Sequence, residues 1–283
     1  MRAEKEYINK DFKFEVKIMN VKFDLFPEGK TKALTMSYDD GQIFDRRLIS
    51  IFNKYGVKGT FHLNSGILDQ DNFITKAEVA ELYKGHEVSV HAKTHPFLDC
   101  IPVEAVIEEI VEDRKSLEDL VGYPIKGMSY PFGAFNEQLI KTLESLGIQY
   151  SRTVISHHDF YMPERFLAWN ATCHHDDNLM ELGQKFSDYK FMGKLKLMYV
   201  WGHSFEFERN NNWDLIENFC KLVSENSEIW FATNIEVMRY TKALKKLEFS
   251  AKGDIVYNPT AITVYISVDD KVVKVKAGET IKL

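Results

Sequence analysis

The apolar positions of this chain switch between two periods, and that switching predicts its architecture. Ala33–Tyr38 is a short apolar run suited to a buried strand. Asp45–Tyr55 then places Leu48, Ile49, Phe52 and Tyr55 on one helical face and stops at Gly56. Val57–Leu63 predicts the next strand. Thr75 and Glu78 form a capping box that opens a helix ending near Gly85, and His86–His91 is strand-like again. Pro102–Val121 carries Val103, Val106, Ile107, Ile110, Leu117 and Leu120 at helical spacing, with Gly122 beyond its end. Ile125–Tyr130 reads as a strand, and Asn136 caps a helix bearing Leu139, Ile140, Leu143 and Leu146. Further strands are expected at Ile148–Arg152, Arg165–Trp169, Leu195–Trp201 and Ile229–Thr233, with helices near 176–186, 213–223 and 235–244.

Repeated βα units of this kind predict an α/β fold: a mostly parallel, distorted (β/α) barrel of the TIM-like type over residues 31–246. The flanks follow another rule. "FKFEVKIMNVKFDLF" and "AITVYISVDDKVVKVKAGETIKL" alternate apolar and polar residues, and the second contains an Asp269–Asp270 turn that predicts a hairpin. Residues 1–30 and 247–283 are therefore expected to add a small β appendage that packs on the barrel or on itself.

Charge narrows the partners. The 283 residues carry 42 acidic and 36 basic side chains, a net charge of −6, which provides no footprint for nucleic acid or an anionic membrane. A small anionic ligand stays open, and nothing in the sequence sets an oligomeric state. The N-terminus lacks the apolar core of a signal peptide and no segment approaches a membrane span, so a cytoplasmic setting is expected unless a leader has been trimmed. Cys100, Cys173 and Cys220 lie too far apart for a disulfide framework and fit reduced thiols.

The chemistry gathers at strand ends. Asp39 and Asp40 stand side by side after the first barrel strand, and adjacent carboxylates are costly when buried unless a positive charge compensates them. His91 ends another strand with His95 four residues on, Tyr130 and Pro131 follow the strand opened by Ile125, and His203 follows the one ending at Trp201. The C-terminal rim is where barrel enzymes assemble their sites. Two imidazoles and one carboxylate suffice to hold a catalytic divalent ion. Zinc is the first choice for such ligands, and cobalt, nickel, iron or manganese are alternatives. The carboxylate left over is placed to act as a general base.

These residues resemble the motifs of the polysaccharide deacetylase family, carbohydrate esterase family 4, whose fold is a distorted (β/α) barrel. "SYDDG" resembles its T-F-D-D-G motif, "HAKTH" its H-[ST]-x-x-H, "SYPFG" its R-x-P-x-G and "WGH" its L-x-H. The similarity spans residues 33–244. It implies a metal-dependent hydrolase that removes acetyl groups, N-acetyl ahead of O-acetyl, from a carbohydrate. Asp39 would be the base, Asp40, His91 and His95 the metal ligands, the backbone N–H of Tyr130 an oxyanion donor and His203 the acid.

Two departures stand out. Ser129 replaces the arginine of the third motif, with Arg152 or Arg165 as candidate substitutes. The aspartate–tryptophan element that braces the histidine acid has no clean match, which leaves Asp176 or Asp177 as candidate partners of His203. Tyr130, Pro131, Trp169, Trp201 and His174 are the expected substrate contacts. Trp169 and Trp201 are equally readable as core, Cys173, His174 and His175 as a solvated loop, His157 and His158 as exposed loop, and His62 as a satisfied core histidine. Glu206 is either surface or an orienter of its neighbours. The competing functions are a metal-independent cyclic amide hydrolase of the same superfamily and a catalytically degenerate carbohydrate-binding relative.

Overall fold

The structure, a computed structural model, describes residues 19–190 and 193–283. Nine strands form the main sheet: β1 (Lys32–Asp39), β2 (Gly59–Leu63), β3 (Glu87–Val90), β4 (Gly127–Ser129), β5 (Tyr150–Ser156), β6 (Trp169–Ala171), β7 (Cys173–His174), β8 (Lys196–His203) and β9 (Ile229–Phe231). They pair in the order β6-β5-β4-β3-β2-β1-β8-β7, every pair parallel. β9 adds to β1 only at its start, Lys32–Leu34, whereas β2 takes over from Met36 onward. The helices are α1 (Asp45–Tyr55), α2 (Lys76–Leu82), α3 (Val103–Val121), α4 (Glu137–Ser145), α5 (Leu179–Asp188), α6 (Ser204–Arg209), α7 (Trp213–Ser224) and α8 (Asn234–Leu244).

The extended stretch 169–174 shapes the sheet. Its first half pairs with β5 and its second half with β8, so the path of pairings returns toward its starting point. The expected strand at Arg165–Trp169 is displaced. Phe166–Ala168 instead makes a turn of 3-10 helix, in which the Ala168 N–H donates to the Arg165 carbonyl, and pairing starts only at Trp169. A register shift between Arg152 and Ser156 absorbs the irregularity.

β1 shows how sequence becomes geometry. Its side chains alternate between two faces. Leu34, Met36 and Tyr38 join the cluster that holds Leu48 and Phe52 of α1 and Ile216 and Phe219 of α7. Thr35, Ser37 and Asp39 point the other way, toward Asn234, His62 and Arg152. The small and polar residues between the large ones are what let neighbouring strands share that polar interior.

The flanking strands form two antiparallel sheets. Val21–Lys22 pairs with Val264–Val268, which turns through Asp269 and Asp270, both at positive φ, into Lys271–Val275. This is the predicted hairpin. Glu248–Phe249, Ile255–Tyr257 and Thr280–Lys282 form the other sheet. The N-terminal alternation before residue 19 lies outside the described residues. Val256, Val264 and Ile266 share a core with Tyr240 and Leu244 of α8, and the Tyr240 hydroxyl donates to the Leu25 carbonyl at 2.8 Å. Among the described residues, no helix is long and apolar enough to cross a membrane.

Candidate active site

β1 and β8 run side by side in register, which sets Asp39 beside His203 on one flank and His62 on the other. At the next position the chain leaves the strand, and Asp40 adopts a left-handed backbone with φ of 78°. Ala92, His95 and Phe132 are left-handed as well. Such residues cost about 1–2 kcal/mol each and persist where surrounding contacts enforce them. Here Asn64 supplies part of that enforcement: its amide donates to the carbonyls of both His91 and Ala92 at 2.6 Å. Asp113, buried on α3, accepts from Ser65 N–H at 2.7 Å and His91 N–H at 3.1 Å.

His91 has a defined tautomer. Its Nδ1 lies 2.8 Å from the Ser129 carbonyl, which can only accept, so Nδ1 carries the proton and the Nε2 lone pair faces the rim. That Nε2 sits 3.1 Å from His95 Nε2 and 3.7 Å from Asp40 Oδ1, and His95 Nε2 lies 3.9 Å from the same oxygen. Asp40 Oδ1 is buried without a hydrogen-bond partner among the described residues. Three ligand atoms therefore converge, one of them an otherwise unexplained buried oxygen. This donor set fits a divalent cation with imidazole and carboxylate ligands.

Asp39 is almost fully buried and ion-pairs with Arg152, itself inaccessible to solvent. Ser129 Oγ donates to its other oxygen at 3.1 Å. Burial pushes the Asp39 carboxyl up, but the Arg152 guanidinium, aided by His91, His62 and His203, outweighs it and holds the group well below the usual range. Arg152 also lies over the Trp201 ring, 4.3 Å from its centre.

His203 Nε2 is 4.0 Å from Asp40 Oδ2, and its Nδ1 is 3.3 Å from Glu206 Oε2. Burial pulls this imidazole down. The Glu206 hydrogen bond and the charges of Asp39 and Asp40 reverse that and raise it above the ordinary histidine value.

The structure redistributes several expected roles. Tyr130 is buried, its hydroxyl donates to Leu167, and its N–H is spent on the Arg152 carbonyl at 3.0 Å, so it cannot serve as the oxyanion donor. Pro131 beside it is also buried. Phe132 takes the open position, and its N–H has no acceptor among the described residues. Trp169 is 1% exposed and packs edge-on against Tyr150, Phe166 and Tyr199, which leaves it no surface for a substrate. Trp201 is half-buried beside His174 and His203, and its indole N–H has no acceptor among the described residues. Asp177 pairs with His158 and Asp176 with Asn210, so neither braces His203; Glu206 does. His157 is half-buried, stacked on Tyr161, whereas His158 is exposed. Arg165 pairs with Glu137 on the surface. His62 is a buried core histidine, its Nε2 bonded to Ser37 Oγ and its Nδ1 without a hydrogen-bond partner among the described residues, and burial pushes it down to about 3.

With this geometry in view, residues 27–151 match the family model described as polysaccharide deacetylase. Over this segment the chain is similar to the polysaccharide deacetylase family. The chain is 29% identical over 135 residues to a peptidoglycan-N-acetylglucosamine deacetylase of Listeria monocytogenes, an alignment covering 47% of this chain and 28% of the relative. The chain thus matches less than a third of that relative's length. The polysaccharide deacetylase fold extends further than the sequence match. A candidate polysaccharide deacetylase from Mycobacterium smegmatis superposes with a TM-score of 0.59 at 17% identity, over 78% of this chain and 93% of that one. A family 4 acetyl xylan esterase from Clostridium thermocellum, solved with a cobalt ion, superposes with a TM-score of 0.53 at 13% identity, over 73% and 90%.

Within residues 27–151, sequence reasoning missed Asn64 and Asp113, because a buried amide and a mid-helix aspartate carry no local signal of the loop they hold. It also missed an aromatic pair. Phe97 and Phe132 stack at 3.9 Å, about half exposed, with Phe132 4.4 Å from the His95 ring. Two exposed phenylalanines beside convergent imidazoles form an apolar lip suited to the C–H face of a ring.

Proposed function

We propose that the chain is a metal-dependent hydrolase that removes acetyl groups, N-acetyl ahead of O-acetyl, from a carbohydrate. The observation that carries this reading is the convergence of Asp40, His91 and His95, with Asp39 Oδ2 3.7 Å from His91 Nε2. Bound there, a divalent ion, zinc by the chemistry of the donors, supplies a Lewis acid that can lower the pKa of water from 15.7 to about 7. The cobalt ion in the acetyl xylan esterase of the same fold supports a metal.

This chain's own residues do the rest. Asp39 is kept ionised by Arg152 and takes the proton of the attacking water. The same ion pair makes it a weak base, so its contribution depends on close positioning as well as on proton affinity. The Phe132 N–H is the free backbone donor for the developing oxyanion, in place of Tyr130, a type of contact worth about 10²–10³ in rate. His203, with its proton held more firmly than in an ordinary histidine, delivers it to the leaving group. An amine needs that proton more than an alkoxide stabilised by a cation does, which favours the N-acetyl linkage. Phe97 and Phe132 hold the sugar ring. The reading as a degenerate binding relative rested on the missing arginine, and Arg152 removes that support.

The test is acetate release from matched N-acetylated and O-acetylated saccharides, with chelator-treated protein and Asp39→Asn as controls. Activity on both substrate types that survives chelation and Asp39→Asn would defeat the proposal.

A further inference from the structure

Beside the Asp40 site lies a group of imidazoles around Glu206, of which the hydrolytic reading uses only His203. Glu206 Oε2 is 3.0 Å from His174 Nε2, 3.3 Å from His203 Nδ1, 3.4 Å from His175 Nε2, and 3.0 Å from the His203 N–H. One carboxylate oxygen accepts about two hydrogen bonds, and the backbone N–H already takes one. The three ring nitrogens therefore cannot all be satisfied as donors to it. The other oxygen offers no relief, being turned to Arg209 at 3.4 Å.

His175 sharpens the problem. It is inaccessible to solvent, and among the described residues neither ring nitrogen has a hydrogen-bond partner. A neutral imidazole has one N–H and one lone pair, and here neither finds a hydrogen-bond partner among the described residues. Its position is well enforced: the ring stacks on Phe207 at 4.1 Å and on Tyr38 at 5.8 Å. Gly202 makes room for it, because a Cβ there would stand 2.0 Å from His175 Nδ1. A buried imidazole held this firmly with no partner points to a ligand that is not protein.

The separations fit a cation. Donors at about 2.0–2.1 Å from a tetrahedral ion lie about 3.3 Å from one another, close to the 3.0–3.4 Å that radiate from Glu206 Oε2. His174, His203 and Glu206 each offer one ligand atom within 4.8 Å of the others.

We propose that His174, His203 and Glu206, with His175 as the adjoining fourth donor, form a second cation site for a divalent transition metal of the zinc, cobalt or nickel class. His203 then stands between two sites, its Nδ1 on the second and its Nε2 facing Asp40. Its role as a proton donor in the proposed reaction rests on the functional reading above, but occupancy of the second site does not.

The experiment is titration of tag-free, metal-stripped protein with Co²⁺, followed by calorimetry and by the visible absorption of bound cobalt. Wild type is expected to take two ions per chain, His174→Ala one, His95→Ala one, and the double variant none. Glu206→Gln should weaken the second ion at least tenfold, and circular dichroism confirms that each variant is folded. A single ion in wild type, or two ions in folded His174→Ala, overturns the proposal. Loss of one ion in His174→Ala but none in His95→Ala would leave this site standing and sink the functional reading instead.

Discussion

Replacing Arg152 with methionine removes the guanidinium that faces Asp39 while filling much of its volume. Three contacts disappear: the ion pair with Asp39, the hydrogen bond from Nη1 to the Thr153 carbonyl at 3.1 Å, and the stacking over Trp201. Both partners of the ion pair are buried, so solvent cannot replace the lost charge. Breaking such a pair from one side costs about 3–5 kcal/mol, and in a domain of this size that lowers the melting temperature on the order of 10 °C. The pH dependence gives a second readout. In wild type the Asp39 carboxyl is depressed in the folded state. It therefore stabilises the protein above the ordinary aspartate value near 4, and that contribution fades as pH falls below it. In the variant, burial acts on Asp39 without its main opponent and raises the folded value. The carboxylate then destabilises at neutral pH, and protonation relieves the strain on acidification. Thermal and urea denaturation in chelator, from about pH 8 to pH 5, should show the deficit of Arg152→Met shrinking as pH falls. Asp39→Asn in the same background should recover part of it, giving a coupling energy of about 1–3 kcal/mol in the double-mutant cycle. A deficit below about 1 kcal/mol that is constant across this range would refute the argument that the guanidinium compensates a buried charge.

Three further outcomes are expected. Glu206→Gln removes the largest influence raising His203, so the alkaline limb of the deacetylation pH profile, where the acid loses its proton, should move to lower pH while the acid limb stays in place; an unmoved alkaline limb would show that His203 is not the acid. Phe97→Ala should raise KM severalfold with a smaller effect on kcat and almost none on stability, because half of the ring is exposed and its main contact is Phe132; unchanged KM across saccharides would remove the aromatic lip from the substrate site. Gly202→Ala drives a methyl group into the His175 ring, which is stacked between Tyr38 and Phe207 and cannot retreat. Overpacking of this kind costs about 1–3 kcal/mol, measurable as a lower denaturation midpoint, and a neutral result would mean that His175 is freer than its packing indicates.

The sequence by itself determined which short segments bring titratable side chains to the rim. Adjacent carboxylates after a strand, an H-x3-H pair and a lone histidine after another strand are local signals, and a strand's end places its next residue on the rim whatever the rest of the chain does. The apolar run Ala33–Tyr38 likewise marked β1 as a buried strand, while the structure showed which of its side chains meet helices and which face the polar interior. Tertiary structure alone decided the substitutions of role. Arg152 reaches Asp39 because parallel pairing sets it beside Ser129 on the next strand, and pairing between strands is not written in either strand's own periodicity. Tyr130 loses its N–H to the Arg152 carbonyl for the same reason, and the turn that follows hands the free donor to Phe132. Trp169 sank into the core because Tyr150 and Tyr199 close over it from neighbouring strands. Glu206 displaced Asp176 and Asp177 as the partner of His203 because the chain turns into α6 immediately after β8, bringing a residue three positions away back onto the imidazole. Short-range patterns specify where a side chain starts; which neighbour it finds depends on strand register and burial, set by contacts between residues distant in the chain.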